Sequence, residues 1–541
     1  MIRFRVLDNS DARWSIGPAY LNGQDDIPVA GEVSEEPGFV VGAPEAEGSI
    51  GISLLCDPDP EAEDRIGAVV LQTCLLPQRD APYALSVELA RHRIMLILTK
   101  LEAWALFDLP ADDPAMASFM EAREHFADAL VSQQAILDAT DAGRAADAKA
   151  WKSLALAIRA GDRLTRIQAE RQLAERFTGA LYQHSLAQAQ ASPINEGRPA
   201  TGVVKTPDTD GVVIEDQPTI GCTIRCDTSA AMQEVVAGTC DFINIPMRWI
   251  DMEPEEGKYA FSRADKWIEW AVRTAKIGVS AGPVIDFRPE CVPEWLYIWE
   301  NDYETLREIV YEHFRQLVIR YRRTVTRWTI VSGLHVNRGF RFSYEQMMDL
   351  TRLCTLTVRK LHPTARVQVE LTSPWGEYVA RAKRAIPPVL YAEMLTQMGI
   401  NIDAFALRLE FGRRDRGGMA RDLTSFSHLL DRYAQLDRPI AITSLGAPAS
   451  QYSGENGEQA GAWRGGWTDQ TQAEFLADAA SVALSKPYVH SVCWQSLLDE
   501  AGGAASGLIA PDGTVRPAAK AMAALRAGLR REDASVAGAG R

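Results

Sequence analysis

The sequence predicts an α/β fold, with a C-terminal (β/α)8 barrel over residues 217–530 preceded by a small β-rich module and a helical region. Three observations predict it. Strand-length apolar runs and amphipathic helical stretches alternate eight times after residue 217. The runs are apolar on both faces, as strands of a parallel sheet covered by helices must be. Eight strand–helix units in one domain suit a closed barrel better than an open doubly wound sheet.

Residues 1–80 read as short strands. IRFRV alternates apolar and basic residues, and FVVG, SIGISLLC and RIGAVVLQTCLL are apolar runs separated by the turn clusters LNGQDD and CDPDPEAED. Over 81–192 the period becomes helical. PYALSVELARHRIMLILTKLEAWALF carries apolar residues at three- and four-residue steps, among them Leu85, Leu89, Ile94 and Leu98. Asp113 followed by Pro114 is a helix start. The Ala-rich stretch DAKAWKSLALAIRAGDRLTRIQAERQLAERF sustains no strict seven-residue repeat, which argues against a coiled coil. An 80-residue module with its own core to fill cannot also bury these helices, so they are expected on the barrel wall or in a homodimer interface. Residues 193–216, rich in Pro, Gly and Thr, read as a linker, and 531–541 as a disordered tail.

In the barrel the strand runs are TIGCTI, DFINIPM, VSAGPVID, VTRWTIVS, RVQVELT, AFALRLEF, PIAITSLG and HSVCWQSL. Ser262 is placed to cap the helix that follows the second run, and Gly278 to end it. The stretch GAPASQYSGENGEQAGAWRGGW after the seventh run has no apolar period and reads as a lid or an excursion.

A formal net charge of −15 argues against nucleic acid and anionic membranes as partners, because both are bound through basic patches. The basic cluster Arg320–Arg323 falls at the end of a helical pattern, where cations complement the helix dipole. The eight cysteines are scattered without metal spacing, so no cofactor or metal is expected. MIRFRVLDNSDARW lacks the apolar core of a secretory leader, and with no long apolar run elsewhere a reduced, cytoplasmic protein is the expectation.

Three segments carry a likeness. MRWIDMEPEEGKYAFSRADKWIEWA follows the second strand, VPEWL follows the third, and SVCWQSLLDEAGGAASGLIAPDGTVRPAAKAM contains the last. Together they resemble the family 10 glycoside hydrolases, the retaining endo-xylanases. The resemblance implies a carbohydrate cleft at the C-terminal ends of the strands. It also implies a proton donor after an Asn at the end of the fourth strand and a nucleophile near the end of the seventh. At those positions this sequence has Ser332 with Gly333, and Ser444. Neither glycine nor serine can supply the carboxyl chemistry, so the resemblance implies that ordinary xylanase activity is lost. Sugar-gripping positions differ too. Asn244 and Ile245 replace a Glu-Asn pair, Arg248 replaces a Lys, and Arg408 with Glu410 replace a Gln and a His.

The remaining polar residues at strand ends are the candidates. Glu370 and Glu410, near the ends of neighbouring strands, form a candidate catalytic pair. Asn244, Arg248, Asp286, Arg288, His335, Trp375, Arg408 and Trp494 are candidate substrate-binding residues, with Asn337 and Gln495 beside them. The aromatics Trp249, Phe287, Trp295, Trp299, Trp463 and Trp467 also fall in or near mouth loops, where sugar rings would stack, although Trp295 and Trp299 read rather as core residues of the loop after the third strand. The competing reading is that Glu370, Arg408 and Asp286 neutralise one another, since buried charges are rarely unpaired. Three functions stay open: binding of an oligo- or polysaccharide without family chemistry, a glycosidase rebuilt on Glu370 and Glu410, and an interaction protein acting through its N-terminal helices.

Overall fold

The computed structural model describes residues 1–7, 13–177, 218–382, 384–413, 417–451, 460–499 and 505–538. The 193–216 linker lies outside them. The N-terminal module consists of two small sheets. One orders β4 (Gly31–Glu36), β5 (Phe39–Pro44), β1 (Ile2–Arg5) and β9 (Tyr83–Ala84). The other runs β3 (Pro28–Val29), β2 (Trp14–Asn22), β6 (Ser49–Cys56), β7 (Val69–Gln72), with β8 (Leu76–Pro77) on β6. Tyr83–Ala84 belongs to a sheet, so the first helix starts later than the periodicity suggests.

Four helices follow: α1 (Leu85–Ala103), α2 (Pro114–Val131), α3 (Gln133–Leu137) and α4 (Asp141–Phe177). Asp113 caps α2 by accepting from the Ala115 amide at 2.8 Å, with Pro114 at the first turn. Along α1, Leu85, Leu89 and Ile94 are buried as expected, but Leu98 is exposed. Ile97 and Leu101 are buried instead, because the 3.6-residue period carries the apolar stripe past position 98.

Nine strands close the barrel in the order β12 (Gly278–Ala281), β11 (Phe242–Ile245), β10 (Thr219–Thr223), β18 (Val489–Trp494), β17 (Ile440–Gly446), β16 (Ala404–Glu410), β15 (Arg366–Leu371), β14 (Arg327–Ser332), β13 (Ile285–Asp286). A β12–β14 pairing completes the ring, and every barrel pair is parallel. The third run, VSAGPVID, becomes two strands. Pro283 has no N–H for the ladder, and Gly282, at φ 122°, lies so close to the Thr329 carbonyl that no side chain fits. Helices α5 (Ala230–Thr239), α6 (Ser262–Trp270), α7 (Tyr303–Tyr321), α8 (Tyr344–Leu361), α9 (Pro388–Gln397), α10 (Leu423–Ala434), α11 (Asp469–Ser485) and α12 (Pro517–Gly538) accompany the strands. Two local expectations are corrected. Ser262 is the first residue of α6 and makes no cap, and the helix is stopped by Lys276 in the left-handed region, with Gly278 already opening β12. The tail expected to be disordered continues α12 to Gly538, with 539–541 outside the described residues.

The N-terminal region is bonded to the barrel along a continuous seam. The Val70 amide donates to the Ala420 carbonyl at 2.9 Å, and Ala462 and Arg464 donate to Ala68 and Ile66 at 2.7 and 2.8 Å. The stretch after β17 is therefore not a free lid in its described part: residues 460–464 form an edge against the module, and Trp463 and Trp467 are buried. Residues 452–459 lie outside the described residues. The strongest link is buried. Arg93 of α1 forks onto Asp422 at 2.8 and 2.7 Å, and Asp422 also caps α10 through the Ser425 amide at 3.0 Å. Arg421 beside it reaches Tyr20 of the module and Glu377 of the loop after β15, both at 2.9 Å, and lies over the Trp375 ring. Removing one member of a buried pair strands the other charge. Arg93→Leu is therefore expected to destabilise the full-length chain by about 3–5 kcal/mol in urea unfolding. A loss below about 1 kcal/mol would mean that the seam is solvated.

Candidate functional site

The C-terminal ends of β13 to β16 open onto a cleft of about 200 Å3. Asp286, Arg288, Gly333, Arg408, Glu410 and Arg413 are among its lining residues. Parallel strands deliver them. The register sets Ser332 beside Glu370, Arg408 beside Ser444 and Glu410 beside Gly446. Arg408 and Glu410 are two residues apart on β16 and so project to one face.

Glu370 lies behind the cleft lining, beneath Arg408, and is 1 % exposed. Its Oε1 accepts from Ser332 Oγ at 2.7 Å and from Arg408 Nε at 3.0 Å, with Arg408 Nη2 2.9 Å away, and its Oε2 accepts from Thr443 Oγ1 at 2.5 Å. Glu410 is bound in the same way. Ser444 Oγ donates to its Oε1 at 2.5 Å, Arg413 pairs with its Oε2, and Arg408 Nη1 stands 3.7 Å from Oε1. All four carboxylate oxygens have donors. Asp286 is forked by Arg288, with Nε 3.0 and 2.9 Å from its two oxygens and Nη2 at 2.6 Å. Burial pushes the Asp286 carboxyl up, but Arg288 and then Arg408 outweigh it and hold the group below its usual range. Glu370 and Asp286 thus take separate arginines, which modifies the expectation of one three-membered cluster.

Asn337 and Phe287 also line the cleft, and the remaining candidates lie elsewhere. Asn244 is buried in the wall, donating to the Gly282 carbonyl at 3.0 Å. Arg248 forks onto Asp251 at 2.6 and 2.8 Å and donates to the Glu290 carbonyl at 3.1 Å. Trp494 is buried, with its indole on the Ser506 carbonyl at 3.0 Å. Trp375 packs on Phe411 and under Arg421 at the module seam. The expected tryptophan lining is corrected accordingly: no tryptophan lines the cleft, whose aromatics are Phe287 and Phe342. Trp249 instead stacks on His313 at 4.2 Å within a buried knot closed by Glu253. Sequence reasoning missed Arg413, Arg338 and Thr443. The basic run beginning at Arg413, three residues past Glu410, was the available signal for the first; nothing local marks the other two.

His335 is fully buried, bonded through Nε2 to the Thr372 carbonyl at 3.0 Å and stacked on Tyr391. Burial pushes its imidazole down to about 4, against the opposing pull of the Thr372 carbonyl and Glu370. Among the described residues, no three His, Cys, Asp or Glu side chains are grouped to hold a metal ion, and no helix is long and apolar enough to cross a membrane. A prediction follows from His335. Its folded value lies below the unfolded value of about 6.5, so the stability it contributes is complete above that pH and lost as pH falls towards about 4. The ring proton signals that disappear in His335→Gln are expected to stay unshifted from about pH 7 to about pH 5, whereas a midpoint near 6.5 would place the ring in solvent.

Residues 218–501 match the family model described as glycosyl hydrolase family 10. Endo-1,4-beta-xylanase 2 of Aureobasidium pullulans is 21 % identical over 237 residues, 42 % of this chain and 64 % of that protein, so the chain spans less than two thirds of that relative. Xylanase 10B from Thermotoga maritima is similar at 16 % identity, with a TM-score of 0.46 over 58 % of this chain and 96 % of the other. GH10 from Paenibacillus barcinonensis is 19 % identical, with a TM-score of 0.44 over 57 % and 94 %. With an eight-unit parallel barrel formed by the very residues that the family model matches, the chain belongs to glycosyl hydrolase family 10.

Proposed function

We propose that this chain binds a carbohydrate at the barrel mouth without hydrolysing it by the two-carboxylate route of retaining glycosidases. The observation that carries this reading is the state of Glu370 and Glu410. Retaining hydrolysis needs one carboxylate free to attack the sugar carbon and one carboxylic acid free to protonate the leaving oxygen, about 5–5.5 Å apart. Here every oxygen of both side chains is occupied by a guanidinium or a hydroxyl, and Glu370 lies beneath Arg408. Gly333 and Ser444, at the positions that the resemblance assigns to the acid/base and the nucleophile, have no carboxyl to offer. Family membership supports the carbohydrate part of the reading. The pairing at the mouth supports the loss of chemistry.

Full-length protein is expected to turn over xylan and aryl-xylosides no faster than a Glu370→Ala/Glu410→Ala variant. Turnover clearly above that control would instead favour a glycosidase rebuilt on these two residues. In that case Glu410→Gln should abolish the rate and Glu370→Gln strongly reduce it.

A further inference from the structure

The ion pairs at the mouth are oriented, with their anions inward and their cations outward. The side chain of Arg288 is 30 % exposed and that of its partner Asp286 2 %. Arg408 is 19 % exposed over Glu370 at 1 %, and Arg413 27 % over Glu410 at 9 %. Apart from Glu290 at the rim, a ligand entering the cleft therefore meets these guanidinium N–H groups before the carboxylates of Asp286, Glu370 and Glu410. Each guanidinium has five donors in a planar fork, and at Arg408 the carboxylate beneath, Glu370, takes only the Nε and Nη2 edge. A fourth arginine, Arg338, also lines the cleft and is exposed, and among the described residues no carboxylate is paired with it. Among the described lining residues the one exposed carboxylate is Glu290, 59 % exposed and 3.1 Å from Arg288.

The loop Gly333–Ser343, which carries Arg338, also holds Arg341 and no acidic residue. The chain as a whole is acidic, at −15, and this would repel an anion at long range. At physiological salt, however, charges beyond a screening length of about 8 Å are largely silenced, so the local guanidinium face decides. The usual means of holding a neutral sugar, a flat indole, is missing from the lining.

We infer that the cleft selects an acidic saccharide, one whose rings carry carboxylates that the arginine forks grip. The inference rests on the carbohydrate reading above and narrows it to a ligand class. A carboxylate, like a phosphate, presents two oxygens that match the guanidinium edge, and such charge-assisted pairs are roughly twice as strong as neutral hydrogen bonds.

The test is calorimetric titration of the full-length chain with tetragalacturonate, xylotetraose and a single-stranded oligonucleotide. Tetragalacturonate is expected to bind at least about tenfold more tightly than xylotetraose, the difference one charge-assisted contact can supply. Raising salt from about 0.05 M to about 0.5 M should weaken the acidic ligand and leave the neutral one unchanged. Arg338→Ala, a surface change that breaks no ion pair among the described residues, should remove about tenfold of tetragalacturonate affinity without altering thermal stability. Equal binding of both tetrasaccharides, insensitive to salt and to Arg338, would overturn the inference and leave the carbohydrate reading standing. Binding of neither would overturn both. Preference for the oligonucleotide, lost in Arg338→Ala, would overturn it in favour of a nucleic-acid partner.

Discussion

A carboxylate taken out of water inside a barrel has to be neutralised and hydrogen-bonded, and Glu370 imposes that requirement on the whole mouth. Arg408 supplies the counter-charge from the neighbouring strand, while Ser332 and Thr443 fill the remaining oxygen positions. Arg408 then lies beside Glu410 as well, which calls in Arg413 and Ser444. Asp286 and Arg288 repeat the arrangement one strand pair away. The result is a floor of buried anions beneath an outer layer of cations. The oxygens of Glu370 and Glu410 are taken up by guanidinium and hydroxyl donors, and the arginines form the outer layer of the cleft.

The same logic governs the N-terminal region. A (β/α)8 barrel gains specificity from loops that are otherwise only loosely held, and here two of those loops are bonded to a separate module. Val70 of β7 and Ala68 just before it bond residues 420 and 462, Arg93 binds Asp422 at the end of the loop after β16, and Arg421 of that loop reaches Tyr20 of the module and Glu377. Gly67, at φ 90°, sits against the Ala462 carbonyl where no Cβ fits. The module therefore helps define the outer wall of the cleft without contributing a lining residue, since Arg413, Gly417 and Gly418 stand on the loop that it holds. The N-terminal helices pack chiefly on one another, and α4 also packs on α10 and α11 of the barrel.

Membership of family 10 and the proposed departure from its chemistry are compatible, because the two depend on different residues. The fold follows from apolar strand interiors and helix faces, which tolerate wide exchange as long as volume and pattern persist. Catalysis depends on a few side chains at strand ends, where a substitution costs the fold little. Replacing an unpaired acid with glycine or serine leaves strand packing intact, whereas inserting arginines at the mouth requires buried carboxylates to receive them. Glu370 and Glu410 fill that role.

The amino-acid sequence by itself determined the architecture. Eight apolar runs, the Asp113–Pro114 helix start and the change of period near residue 81 all act through neighbours in the chain, so they are legible locally. It also made Glu370, Arg408, Glu410, Asp286 and Arg288 conspicuous as charges inside apolar strands. What it could not specify was which of these charges meet, because partners such as Ser332, Thr443 and Arg413 sit on other strands and loops whose spacing depends on the register of the closed ring. The same limit explains the tryptophans. Proximity to a strand end in sequence does not say which way an indole turns, and Trp375, Trp463, Trp467 and Trp494 turned into packing that exists only once the module, the helices and the barrel have come together.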